Sequence, residues 1–145
     1  MRDRARQIPR SGFLTFVDSN IPMYLVGEAH PHKADAQRAV EALIASQERL
    51  VTDAEVFQEI LHRYAAIRRI EAIQPAFDAL RSIVDEVFPV EERHIYMAKD
   101  LVLGHKSLSS RDAVHLALMK ANAVDRILSF DSGFDGISWV QRLPA

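Results

Sequence analysis

Apolar residues along this chain follow two patterns in turn, short unbroken runs and longer stretches with helical spacing. The first run, Phe13-Leu14-Thr15-Phe16-Val17, has no strict polar alternation, as expected of a strand buried on both faces of a parallel sheet. It ends in Asp18, Ser19 and Asn20, and Pro22 then opens a short helix over 21–28, stopped near Gly27. His30-Pro31-His32 reads as a surface turn, since no third metal ligand has suitable spacing nearby. Ala36, Ala39, Val40, Leu43 and Ile44 predict an amphipathic helix over 33–48. Leu50-Val51 is a short strand, and Thr52 or Asp53 caps the next helix, 54–67, whose buried stripe is Val56, Phe57, Ile60, Leu61 and Tyr64. A further helix spans 70–86, with Pro75 setting its start near Gln74 or breaking it there. Residues 87–90 form a strand candidate weakened by Pro89. Helices over 91–105 and 110–122, a strand over 126–130 and a β-like run around Trp139-Val140 complete the pattern.

Strands that alternate with helices predict an α/β fold: a single domain over 13–145, with a central, largely parallel sheet flanked by helices. Before it, residues 1–12 carry Arg2, Arg4, Arg6 and Arg10 against Asp3 alone, with Pro9, Ser11 and Gly12 and no periodicity. This segment is expected to be a disordered basic arm.

Composition narrows the chemistry. The chain has 145 residues, no cysteine and a formal net charge of −2. Disulfides, thiolate catalysis and zinc–thiolate sites are excluded, in keeping with a cytoplasmic location. The weak net charge argues against a protein that coats nucleic acid without specificity. No apolar run reaches the roughly 18 residues of a membrane span.

Four acids stand at telling places: Asp18 and Asp131 after strands, Asp112 in the first turn of a helix, and Glu59 at the edge of a buried helical stripe. Each has a local explanation. Asp18, Ser19 or Asn20 can cap a helix, Glu59 can pair with Arg63, and Asp112 can serve a helix terminus already capped by Ser109 or Ser110. His115, one turn beyond Asp112, can orient that acid or, by default, hydrogen-bond to backbone. Taken together the acids invite another reading. In a parallel α/β sheet, strand C-termini and the following helix N-termini share one rim, and carboxylates gathered there repel. A hard divalent cation such as Mg²⁺ resolves that repulsion and activates water for attack at phosphorus.

At these residues the chain resembles PIN-domain proteins, and most closely the VapC-type toxins of bacterial toxin–antitoxin pairs. Phe16-Val17-Asp18-Ser19-Asn20 resembles the family's opening strand with its first acid, and the helix from Thr52 to Leu61 carries the second, Glu59. Leu108-Ser109-Ser110-Arg111-Asp112-Ala113-Val114-His115-Leu116-Ala117 resembles the block with the third, and Leu128-Ser129-Phe130-Asp131 the closing motif. Ser129 stands where Thr is common. Gly133 stands where a second Asp is frequent, which puts a second metal site in doubt unless Asp135 or water compensates.

The resemblance implies an endoribonuclease dependent on Mg²⁺ or Mn²⁺. Asp18, Asp112 and Asp131 would hold the metal directly or through water. Glu59 would orient or deprotonate the attacking water, and Asn20 and Ser129 would position the acids or the phosphate. It further implies a homodimer, an RNA substrate and a cognate VapB-type antitoxin. The rival is a catalytically silent PIN-like module that binds RNA or protein. A phosphatase using Asp18 as nucleophile fits less well, because Asn20 stands where a second Asp is needed.

Overall fold

The computed structural model describes residues 13–143. The basic arm expected over 1–12 lies outside the described residues. Five strands form one sheet: β1 (Leu14–Val17), β2 (Arg49–Asp53), β3 (Glu86–Phe88), β4 (Arg126–Leu128) and β5 (Gln141–Leu143). Every pairing is parallel, and the spatial order is β3-β2-β1-β4-β5. Six helices flank the sheet: α1 (Asn20–Val26), α2 (Pro31–Ala45), α3 (Ala54–Ala66), α4 (Ile73–Ile83), α5 (Glu92–Gly104) and α6 (Ser110–Ala121). Among the described residues no helix is long and apolar enough to cross a membrane.

The unbroken apolar run of β1 follows from its central place. Phe16 and Val17 are fully buried, and β1 takes β2 on one side and β4 on the other. The core continues through Leu50 and Val51 of β2, Ile127 and Leu128 of β4, and Ile60, Leu80, Leu116, Leu118 and Met119 from the helices. The chain builds outward from β1 to β2 and β3, then returns to the other side of β1 for β4 and β5. The order therefore reverses between β1 and β4, and a crevice at their carboxyl ends is where open α/β sheets bind ligands. Asp18 and Ser129 lie at those two ends.

Local details depart from the sequence reading. The His30-Pro31-His32 turn is the start of α2: Pro31 is its first residue, and His30 Nδ1 accepts from the His32 N–H at 3.0 Å. Pro needs no donor there. Pro75 is the third residue of α4, within the turn whose N–H groups have no helical partner, and the 3-10 turn over Ile70–Ala72 precedes it. The last strand is Gln141–Leu143, not the run around Trp139-Val140. Its pairing with β4 outweighs the apolar character of the preceding residues.

Candidate active site

Asp18 is the best-anchored acid of the rim. Only 4% of its surface is exposed. Oδ1 accepts from the Ser19 N–H at 2.8 Å and Oδ2 from the Ser129 hydroxyl at 2.6 Å. Ser129 is fully engaged in turn, accepting from Asn20 Nδ2 at 3.2 Å and from the Asp131 N–H at 3.0 Å. Asn20 Oδ1 accepts from the Phe130 N–H at 3.3 Å. Asn20 and Ser129 thus tie the end of β1 to the end of β4 and aim the Asp18 carboxylate. Its side chain does not serve as the cap of α1: Ser19 is the cap residue, and it makes no side-chain cap bond.

Glu59, on α3, turns inward. Its Oε1 lies 2.9 Å from His115 Nε2, and its Oε2 lies 4.0 Å from Arg111 Nη1. The pairing with Arg63 allowed by helical spacing is not made, since α6 offers a buried partner that an exposed arginine cannot match. His115 is fully buried, and its Nδ1 lies 2.9 Å from Asp53 Oδ2. Its partners are therefore neither Asp112 nor backbone, as the sequence had suggested. Asp53 caps α3 with its other oxygen, accepting from the Val56 N–H at 2.9 Å, while the Thr52 hydroxyl bonds to the Val17 carbonyl. Asp53 and His115 are the pair that sequence reasoning missed. Asp53 was weighed only as a cap and His115 only against its own helix. The one signal available was a polar residue in the inward register of the stripe that holds Leu116 and Met119.

The electrostatics follow from this crowding. Burial raises the Asp18 carboxyl above its ordinary value, with Glu59 adding to the effect, while His115 and the bonds from Ser129 and Ser19 oppose it. Burial also opposes a charge on His115, but Asp53, Glu59 and Asp18 outweigh it and push the imidazole well above its usual range. Asp112 sits in the first turn of α6, whose cap is Ser109: the Asp112 N–H donates to Ser109 Oγ at 3.1 Å. Its carboxylate accepts no hydrogen bond among the described residues. Desolvation, then Asp18, Asp131 and Glu59, raise it to about 7 against the pull of His115. Burial raises Glu55 too, one turn before Glu59.

Asp131 lies at the exposed lip, where Oδ1 accepts from the Gly133 N–H at 2.9 Å. Asp135 is engaged elsewhere, bonded to Arg142 at 2.8 and 3.1 Å, and so does not stand in for the acid absent at Gly133.

The donors suit a hard divalent cation. One ligand atom each from Asp18, Glu59 and His115 falls within a 4.8 Å span, and carboxylate oxygens are what Mg²⁺ and Mn²⁺ prefer. His115 is the poor member of that set, because both of its nitrogens already face carboxylates. Asp112 is the better candidate: Asp18, Asp131 and Glu59 all act on it electrostatically, and its oxygens accept no hydrogen bond among the described residues. A cation beside it would offset both the burial that raises it and the repulsion from Asp18, Asp131 and Glu59 that adds to it.

Comparison with known proteins identifies the family and the fold. The family model for the PIN domain matches residues 15–140. The chain is 56% identical over 130 residues to Ribonuclease VapC13 of Mycobacterium tuberculosis, covering 90% of this chain and 99% of that one. Among solved structures, VapC20 of Mycobacterium tuberculosis, described as a sarcin-ricin loop cleaving toxin, superposes with a TM-score of 0.67 at 22% identity, over 87% of this chain and 96% of its own. VapBC2 of Rickettsia felis, bound to a DNA fragment from its promoter, gives 0.69 at 13%, over 90% and 97%.

Proposed function

The chain belongs to the PIN-domain family, among the VapC ribonucleases, and from that premise we propose that it is a metal-dependent endoribonuclease, the toxin of a type II toxin–antitoxin pair. The observation that carries this reading is the gathering of Asp18 and Glu59 ligand atoms within a 4.8 Å span around His115, beside an Asp112 carboxyl raised to about 7, first by burial and then by Asp18, Asp131 and Glu59, and free of hydrogen bonds among the described residues. Asp18, Asp112 and Asp131 would hold Mg²⁺ or Mn²⁺. Bound there, the ion lowers the pKa of a water and stabilises charge in an in-line displacement at phosphorus.

The chain's own groups do the rest. Glu59 accepts the proton of the attacking water, whose oxygen bonds to phosphorus as the bond to the leaving ribose oxygen breaks, and that ribose oxygen keeps the electron pair and takes a proton from solvent. Asn20 and Ser129 keep Asp18 in place, and Arg111 and Arg142 stand near the rim where phosphate charge arrives. The substrate is RNA. The partners are a VapB-type antitoxin and a second copy of the chain, and the setting is the cytoplasm. An arginine from the antitoxin would suit the acidic rim by charge-assisted pairing.

Cleavage of total RNA in Mg²⁺ or Mn²⁺ tests the reading. Wild type should cut, EDTA should stop it, and Asp18→Asn should be folded but inactive. Undiminished cutting by folded Asp18→Asn would sink the assignment. RNA binding without cutting by wild type would point to the silent module.

A further inference from the structure

The Asp53–His115–Glu59 chain does more than join α3 to α6. The elements it links are already secured. Asp53 Oδ1 caps α3, Ser109 caps α6, and Val56, Ile60, Leu116 and Leu118 bury their inner faces. A fully buried imidazole between two carboxylates is costly to desolvate, and apolar residues often replace such groups with no loss of stability. Packing alone therefore gives no reason for it. The geometry gives one. Asp53 is locked by its cap, so the ring seated on it is locked too, with the Phe16 ring packed beside it at a tilt, 5.3 Å between centroids. Nε2 then holds Glu59 Oε1 at 2.9 Å. Glu59 is a long side chain at the mouth of the site, with 14% of its side-chain surface exposed, and has no other hydrogen bond among the described residues.

We infer that His115, seated on Asp53, is a positioning residue for RNA cleavage: it immobilises one oxygen of Glu59 and leaves Oε2 as the one that receives the proton. This rests on the nuclease reading of the same site. Orientation of a base is worth large factors in rate, because a misplaced group loses the near-attack geometry. The competing role, His115 as a metal ligand beside Asp18 and Glu59, requires it to give up a 2.9 Å bond.

The test uses the full chain with His115→Gln, Glu59→Gln and the double variant. Three quantities are read: cleavage of a short RNA in Mn²⁺, Mn²⁺ binding without RNA, and the carboxyl ¹³C signal of Glu59 without metal. For His115→Gln, kcat should fall about tenfold or more while KM and the Mn²⁺ Kd stay within about threefold. Added to Glu59→Gln, it should cost less than about threefold, since a residue that acts through Glu59 has nothing left to position. Glu59 should give one sharp signal in wild type and a shifted or broadened one in His115→Gln. Additive losses, unchanged cleavage or an unchanged Glu59 signal would overturn the inference. So would a Mn²⁺ affinity lowered about tenfold, the mark of a ligand. If His115→Gln does not fold, Asp53→Asn, whose remaining oxygen keeps the α3 cap, must show the same pattern or the inference falls. If wild type cuts no RNA, the nuclease reading fails by itself, while the Glu59 signal still decides whether His115 holds that side chain.

Discussion

Asp112 shows how much a single carboxylate reveals about the site. Its folded value of about 7 lies above the ordinary 3.8, so the unfolded chain gives up that proton first as pH rises. Stability is therefore lost between about pH 4 and 7 in the absence of metal. Asp18 is raised and acts in the same direction. His115, also raised, adds stability below its ordinary range and loses it only as pH climbs through its higher folded value. In EDTA the melting temperature should fall from about pH 4 to 7, and Asp112→Asn should flatten that fall. The substitution should act oppositely in the two conditions: the variant should melt no lower than wild type in EDTA but lose most of the gain from Mg²⁺. For a dissociation constant of about 1 mM, ~10 mM Mg²⁺ stabilises wild type by about 1.4 kcal/mol, or roughly 3–6 °C. Asp112→Asn should gain much less. Melting curves of both proteins, with EDTA and with Mg²⁺, decide this. A metal-independent loss in the variant would mean that Asp112 serves only the end of α6.

The helix ends set where these side chains stand. Three helices close in the same way, with a non-glycine residue in the left-handed region: Gln47 after α2, Arg68 after α3 and Ala123 after α6. In each the next N–H reaches back to close the turn, as Val124 does to the Met119 carbonyl at 2.8 Å. Side chains resist that conformation, so Ala123→Gly should stabilise the protein by about 0.5–1 kcal/mol, a rise of roughly 1–4 °C, without altering cleavage. The other end of α6 behaves differently. Ser109→Ala removes the cap bonded to the Asp112 N–H and should cost about 1 kcal/mol. It should also weaken Mn²⁺ binding, because the turn that carries Asp112 loosens. Calorimetry of the two variants separates the effects.

Across the whole molecule the two ends of the sheet have different tasks. The carboxyl ends of β1 and β4 hold the acids. At the opposite end Arg126 Nη1 meets Glu48 Oε2 at 3.1 Å, and the Thr15 hydroxyl donates to Glu48 Oε1 at 2.8 Å. Glu48 is almost fully buried there, so removing its charge strands a largely buried arginine. Glu48→Gln should destabilise by about 3 kcal/mol, the low end of the range for a broken buried pair, or roughly 6–12 °C. Its folded fraction should cut RNA as wild type does and bind Mn²⁺ unchanged. A loss of specific activity at constant fold would show that the two ends are coupled.

The sequence by itself determined the alternation of strand and helix, the buried parallel sheet and the likeness to PIN domains. Apolar periodicity reports which faces are buried, and Asp18, Glu59, Asp112 and Asp131 stand at positions that local pattern already marks as strand ends, a helix start and the edge of a stripe. Tertiary structure decided the pairings. Asp53 and His115 are 62 positions apart, and His115 and Glu59 are 56. No local period links them, since their contact depends on how α6 lies against α3 and the end of β2. The burial that raises Asp112 has the same origin: desolvation and summed charge come from elements folded together, and neither can be read along the chain.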